Sequence, residues 1–146
     1  MVEPLAGKRQ VCVTAQRTKR DYAEQLRWLV DVGYPDAESI RLVQDNLNTH
    51  TPGALYDAFP ASEARRILQC LEWHYTPKHA SWLNMAEIAI GVFQRCCLNQ
   101  RLATREALQT QVAALQAERN YRQARIVGQF TTLHARQKLR RLYPQI

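Results

Sequence analysis

At 146 residues the chain has the size of one ordinary domain, long enough for a real core and too short for two substantial ones. A hydrophobic share of 46%, with only 5 Gly and 6 Pro, describes a folded chain and excludes a disordered one. No stretch has the length and apolarity of a membrane span, and the opening Met1-Val2-Glu3-Pro4 reads as neither signal nor transit peptide, so a cytoplasmic location with no membrane partner is expected.

The net charge of +7 is unevenly placed. No acidic residue follows Glu118, whereas Arg119, Arg122, Arg125, Arg136, Lys138, Arg140 and Arg141 do, and those seven cations equal the whole excess. An acid-free tail of this kind suits a phosphate backbone. It equally suits a solvated helix face that keeps a protein soluble. The four cysteines, Cys12, Cys70, Cys96 and Cys97, contain no C-x-x-C pair. Cys70, His74 and His79 form an incomplete zinc string lacking a fourth ligand, so buried reduced thiols are expected ahead of a metal site.

In chain order, the Pro4-to-Gly7 turn followed by Val11-Cys12-Val13 predicts the second strand of a hairpin. Thr18 is a predicted helix N-cap with Asp21 at the capping-box position, and Tyr22, Leu26, Leu29 and Val30 follow at helical spacing until Gly33-Tyr34-Pro35 stops them. Ile40 to Val43 is a short apolar run suited to a buried strand, ending in Gln44-Asp45-Asn46. Pro52 and Gly53 open a helical region that Pro60 interrupts and Ser62 recaps, running to Leu71. Trp73 to Thr76 predicts another short strand, closed by Pro77.

A longer helix is expected from Ser81, with Trp82, Ala86, Ala89, Ile90, Phe93 and Cys97 along one face, and with Asn84 and Glu87 sharing another. Thr104 caps a further helix striped by Leu108, Val112 and Leu115. Thr132 starts a last one, with Leu139 and Leu142 inward and the cations outward. Strands alternating with helices predict an α/β layer architecture with a mainly parallel section. A carboxylate at the carboxyl end of a strand, as at Asp45, stands where open α/β sheets place their ligands.

Two segments carry chemistry. Leu42-Val43-Gln44-Asp45-Asn46-Leu47-Asn48-Thr49-His50 is an apolar strand delivering a carboxylate into a polar cluster. His74-Tyr75-Thr76-Pro77-Lys78-His79-Ala80-Ser81-Trp82-Leu83-Asn84-Met85-Ala86-Glu87 is a strand, a Pro-bounded loop and a helix that carries Glu87 early. Hard cations such as Mg²⁺ take carboxylate oxygens and keep several waters, so two or three carboxylates suffice for a site. Singly, each residue has a plainer reading: Asp before Asn forms turns and caps, and a Glu early in a helix meets the dipole favourably.

Together these segments resemble the DDE transposases of the insertion-sequence branch of the Tc1/mariner superfamily, and the resemblance runs over nearly the whole chain. Glu3-Pro4-Leu5-Ala6-Gly7-Lys8-Arg9 resembles the family hairpin, the segment from Asp45 to His50 its second-carboxylate motif, and the segment from His74 to Glu87 its third. The resemblance implies an α/β, RNase H-like mixed sheet flanked by helices. It implies two divalent ions, Mg²⁺ or Mn²⁺, and cleavage and joining of DNA at transposon ends and target, in a bacterial, nucleoid-associated setting. It makes Asp45 and Glu87 the catalytic metal ligands.

Asn46, Asn48, His50 and Asn84 would then line the site, although an Asx turn accounts for the first of these equally well. Lys78 and His79, with Arg136, Lys138, Arg140 and Arg141, are the expected DNA contacts, against a reading of simple surface solvation. Trp73 and Trp82 are expected in the core.

The sequence departs from the family at its start. The family's first Asp lies on an upstream strand, and neither Glu3, Asp21, Asp31 nor Asp36 replaces it. The expectation is therefore an amino-terminally truncated catalytic domain over 1–103, lacking its first strand, with a basic helical extension over 104–146. Such a chain is active only when a second polypeptide supplies the missing part. The alternatives are a non-catalytic DNA-binding or dimerising inhibitor of a full-length transposase, and a decayed remnant.

Overall fold

The computed structural model describes residues 1–77, 84–128, 131–138 and 140. The chain divides into two compact units, one formed by Cys12–Glu87 and the other by Met1–Val11 together with Ile88–Ile146.

In the Cys12–Glu87 unit, α1 (Lys19–Trp28) begins as expected. The Thr18 side chain accepts from the Asp21 amide at 3.1 Å while the Asp21 carboxylate accepts from the Thr18 amide at 2.8 Å. This reciprocal cap satisfies two amides that the first helical turn leaves without partners. The helix runs on through a wider π turn, Leu29–Gly33, closed by the Tyr34 amide on the Leu29 carbonyl at 2.9 Å.

Its apolar stripe, Ala23, Leu26, Leu29 and Val30, packs into one cluster with Leu55 and Phe59 around α2 (Gly53–Ala58) and with Ala64 and Ile67 of α3 (Ala61–Gln69). Leu26, Leu55 and Ile67 are fully buried. Each such side chain contributes about 1.5–3 kcal/mol on leaving water. The expected cap at Ser62 is corrected: Pro60 holds the N-cap, extended at ψ 149°, and Ser62 already lies inside the helix. The helix also ends at Gln69, because Leu71 is the first residue of the next strand.

β3 (Ile40–Gln44) and β4 (Leu71–Tyr75) pair in parallel, from Ile40 against Leu71 to Gln44 against Tyr75. Parallel strands need a long crossover, which α2 and α3 supply. Parallel pairing also brings both carboxyl ends to one edge, so Asp45 and Thr76 leave the sheet side by side. Ile40, Leu42 and Trp73 are partly buried against the core, in keeping with the core reading of Trp73.

In the other unit, β1 (Val2–Glu3) and β2 (Lys8–Arg9) form an antiparallel hairpin. Its return strand is thus Lys8–Arg9, and Val11-Cys12-Val13 forms no strand, contrary to expectation. The physical reason is that side chains of α5 (Arg105–Tyr121) claim the backbone there. Asn120 Oδ1 accepts from the Arg9 amide and Asn120 Nδ2 donates to the Arg9 carbonyl, both at 2.9 Å, and Gln116 Oε1 accepts from the Val11 amide at 2.6 Å.

Gly7 makes this approach possible. It sits at φ +68°, and a Cβ built on it would lie 2.4 Å from the Gln123 carbonyl carbon and oxygen. Only a residue without a side chain fits so close to another backbone in the left-handed region.

α4 (Met85–Cys96) carries the chain from one unit to the other. The expected start at Ser81 and the inward Trp82 lie outside the described residues. Phe93 and Cys97 are buried and Ala86 and Ala89 half-buried, as expected, but Val92 is half-buried too, while Ile90 is 55% exposed against expectation. Thr104 caps α5 through the Ala107 amide at 3.1 Å, and Val112 is buried between the half-buried Leu108 and Leu115.

α6 (Thr132–Lys138) starts at Thr132 as expected, and the Thr131 hydroxyl just before it accepts from the His134 amide at 3.2 Å. Leu139 and Leu142 lie outside the described residues.

Instead of a single mixed sheet, the described strands form two separate pairs. The architecture is a mixed α/β one of helices and small sheets, as the resemblance requires at that level. All four cysteines are free, as expected, but only Cys97 is buried: Cys12 and Cys96 are exposed and Cys70 is half-buried. Among the described residues no helix is long and apolar enough to cross a membrane.

Candidate functional site

The polar segment after β3 is built around its own carboxylate. Asp45 Oδ1 receives His50 Nδ1 at 2.6 Å and the Leu47 amide at 3.3 Å. A carboxylate only accepts, so Nδ1 carries the proton. Among the described residues Oδ2 has no partner, and the Asp45 side chain is 34% exposed. One oxygen is therefore fixed by the loop and the other is presented outward.

His50 is itself held from three sides. Its ring lies against Tyr22 at 4.6 Å between centroids with planes 31° apart. Its carbonyl accepts from Gln44 Nε2 at 2.9 Å and from the Tyr75 hydroxyl at 3.2 Å. Gln44 in turn accepts from the Tyr22 hydroxyl, which joins α1, the end of β3, the loop and the end of β4 in one hydrogen-bonded network.

Burial raises the Tyr22 pKa, and the nearby Tyr75 and Asp45 add to the shift, so the phenol remains a donor. Gln44 is buried because the last residue of an apolar strand here faces the core, and its amide satisfies two neighbours at once. Sequence reasoning missed Tyr22, Gln44 and Tyr75 as supports. The available signal was a polar residue closing an otherwise apolar strand.

Asn46 Nδ2 donates to the Thr76 carbonyl at 2.5 Å, and the Thr76 amide donates to the Gln44 carbonyl at 2.8 Å. These two bonds fasten the exit of β3 to the exit of β4. Asn46 is thus a cross-strand tie, while the local turn within this loop is made by Asp45 itself. The buried hydroxyls of Thr49 and Thr76 have no partner among the described residues. Asn48 is exposed.

Glu87 stands in the first turn of α4 and is exposed. Asn84 positions that turn: its Oδ1 accepts from the Ala86 amide at 3.1 Å and its carbonyl from the Glu87 amide at 3.0 Å. Asp45 and Glu87 belong to the same compact unit. No hydrogen bond joins their surroundings, and no group of three His, Cys, Asp or Glu able to hold a metal occurs among the described residues.

His74, one member of the incomplete zinc string, meets Glu72 at 2.7 Å. Lys78, His79 and Arg141 lie outside the described residues. Arg136, Lys138 and Arg140 are exposed, as expected of residues that meet solvent or DNA.

Two hard carboxylates, one on a strand end and one on a helix, each with an oxygen turned outward, match the donor class that divalent cations prefer. The family model of the DDE superfamily endonucleases matches residues 1–109 of the 146. No curated protein and no solved structure matches the chain. The match spans the hairpin, Asp45 with its supporting network, and Glu87, and on that evidence the chain belongs to the DDE superfamily endonucleases.

Proposed function

We propose that Asp45 and Glu87 are two carboxylates of a divalent-metal site that cleaves and joins DNA, in an RNase H-like domain of the insertion-sequence branch of the Tc1/mariner transposases. The observation that carries this reading is the state of Asp45, held through Oδ1 by His50 at the carboxyl end of a parallel strand, partly exposed and with Oδ2 unpartnered among the described residues. The donors fit Mg²⁺ or Mn²⁺ in kind, although their number falls one short of a triad. Bound there, the ions would activate an attacking oxygen and stabilise the leaving oxygen of a phosphodiester.

The chain's own residues then have distinct tasks. His50 fixes the orientation of Asp45, and Asn46 holds the loop against β4. Asn48 lines the rim of the site, and Asn84 aims Glu87 through the first turn of α4. Lys78 and His79, and farther along Arg136, Lys138, Arg140 and Arg141, neutralise DNA phosphates.

A third carboxylate is not assigned among the described residues. Upstream of Asp45, Asp21 is spent in a helix cap, Glu24 pairs with Arg27, and Asp31 pairs with Arg66. Asp36 and Glu38 precede β3 and so lie at its opposite end, roughly 15 Å of strand away.

Nicking of a supercoiled plasmid tests the reading, using the chain combined with a polypeptide that carries the family's amino-terminal strands and first Asp. Metal-dependent nicking that disappears with Asp45→Asn or Glu87→Gln is expected. A silent pair, beside an intact family enzyme that works, refutes it. The exposed cations of α6 favour one second reading, a non-catalytic DNA-binding inhibitor of a transposase. Salt-dependent DNA binding without cleavage, unchanged by Asp45→Ala or Glu87→Ala, would select that reading instead.

A further inference from the structure

Arg9 is an anomaly in the unit formed by Met1–Val11 and Ile88–Ile146. It is only 5% exposed, yet its Nε and Nη1 have no hydrogen-bond partner among the described residues. Its Nη2 alone is engaged, on the Ala124 carbonyl at 2.6 Å. No carboxylate pairs with it among the described residues; burial lowers its pKa, and the like charge of Arg119 adds to the shift.

A buried cation with two idle donors and a like-charged neighbour is costly unless an anion completes it. Arg9 lines a cavity of about 270 Å³ that Arg119 and Arg125 also line, with Phe93, Ile126 and Val127 among its apolar walls. None of the three arginines has an ion-pair partner among the described residues.

We infer that this cavity is a phosphate site, in which Arg9, Arg119 and Arg125 hold one phosphate group of a DNA strand. Guanidinium groups match phosphate oxygens with paired, charge-assisted hydrogen bonds. The volume lies just under the range of about 300–1,000 Å³ typical of small-molecule pockets, which suits one phosphate with part of its sugar. The apolar walls suit the sugar.

The site is separate from Asp45 and Glu87, since every residue that lines it belongs to the other compact unit. It also differs from the exposed cations of α6, because a buried guanidinium with empty donors is a fixed receptor rather than a diffuse charge. The identity of the phosphate's carrier rests on the DNA reading above; the pocket itself does not.

The probes are inorganic phosphate, a deoxynucleoside monophosphate and a short single-stranded oligonucleotide, titrated into the full chain at constant ionic strength made up with chloride. Saturable binding of inorganic phosphate is expected, tighter for the nucleotide and tightest for the oligonucleotide. The double variant Arg119→Gln/Arg125→Gln should weaken phosphate binding by roughly tenfold or more. Neither side chain makes a hydrogen bond within the fold among the described residues, so this variant leaves the hairpin and its Asn120 contacts in place.

The charge-matched control Arg17→Gln/Arg101→Gln should leave phosphate binding unchanged. No saturation by phosphate over chloride overturns the inference, as does equal weakening in the two double variants. Asp45→Asn separates the two proposals, since it should keep phosphate binding while losing metal-dependent nicking in the complemented pair; retained phosphate binding beside absent nicking in the parent pair would sink the catalytic reading and leave the pocket standing.

Discussion

Replacing Gly7 by alanine tests the close seat of the hairpin on the segment that follows α5. A residue with a Cβ at φ +68° costs about 1–2 kcal/mol by itself. The added carbon would stand 2.4 Å from the Gln123 carbonyl carbon and oxygen and 2.8 Å from the Ala124 nitrogen. All three are backbone atoms, so no rotamer change relieves the overlap. The hairpin must lift, which breaks the bond from the Ile126 amide to the Pro4 carbonyl at 2.9 Å and that from Arg9 Nη2 to Ala124 at 2.6 Å. Each of these is worth about 1 kcal/mol net. Against them stands a gain of about 0.4–1 kcal/mol from a stiffer unfolded chain.

The expected result is destabilisation by about 2–4 kcal/mol. Urea denaturation reads the total, and hydrogen exchange at the Ile126 and Arg9 amides reads the place. Gly91→Ala is the control, since in α4 its Cβ would meet only Arg95 Nη1 at 3.8 Å. There alanine should stabilise by about 0.5–1 kcal/mol. A Gly7→Ala protein as stable as its parent, with unchanged exchange at Ile126, would refute the reasoning.

Three further outcomes follow from the supports around Asp45 and α1. Asn46→Ala removes the tie to the Thr76 carbonyl, so it should cost about 1 kcal/mol of stability. In the complemented nicking assay it should slow the reaction by about tenfold or more, because a carboxylate displaced by a fraction of an ångström loses its alignment. Thr18→Ala breaks the capping box of α1 and should lower the urea midpoint by an amount equivalent to about 1 kcal/mol.

Tyr22 has its pKa raised by burial, so the folded state keeps a proton that the unfolded chain releases above about pH 10. The stability tied to this proton is complete below that pH and declines as the pH rises beyond it. Denaturation between pH 9 and 11 should show a shallower decline in Tyr22→Phe than in the parent, and equal slopes would contradict the buried phenol.

Local signals in the sequence were reliable where one residue type had one physical use. Thr18 with Asp21 is a capping box in both sequence and structure, and Ile40 to Val43 is a strand because nothing else suits a short apolar run that ends in polar residues. Asp45 and Glu87 were singled out from their neighbourhoods, and the family match spans both positions.

Long-range competition was not legible. Val11-Cys12-Val13 has strand composition, but Gln116, more than a hundred residues away, takes the Val11 amide, while Asn120 holds the backbone of Arg9 just before it. The same distance hid Arg9, which in sequence is one more cation in a hairpin and in the fold is a buried charge facing Arg119. Likewise Tyr22 read as a core position, and only the packing of α1 against the loop shows that its hydroxyl supports His50 through Gln44.

The central claim, that Asp45 and Glu87 bind a divalent metal, is tested most directly by Mn²⁺ titration followed by electron paramagnetic resonance on the chain and its Asp45→Asn and Glu87→Gln variants. The account predicts Mn²⁺ binding by the parent chain that weakens by at least tenfold in either variant, with Mg²⁺ competing for the same site. Mn²⁺ binding that is identical in all three proteins would contradict it.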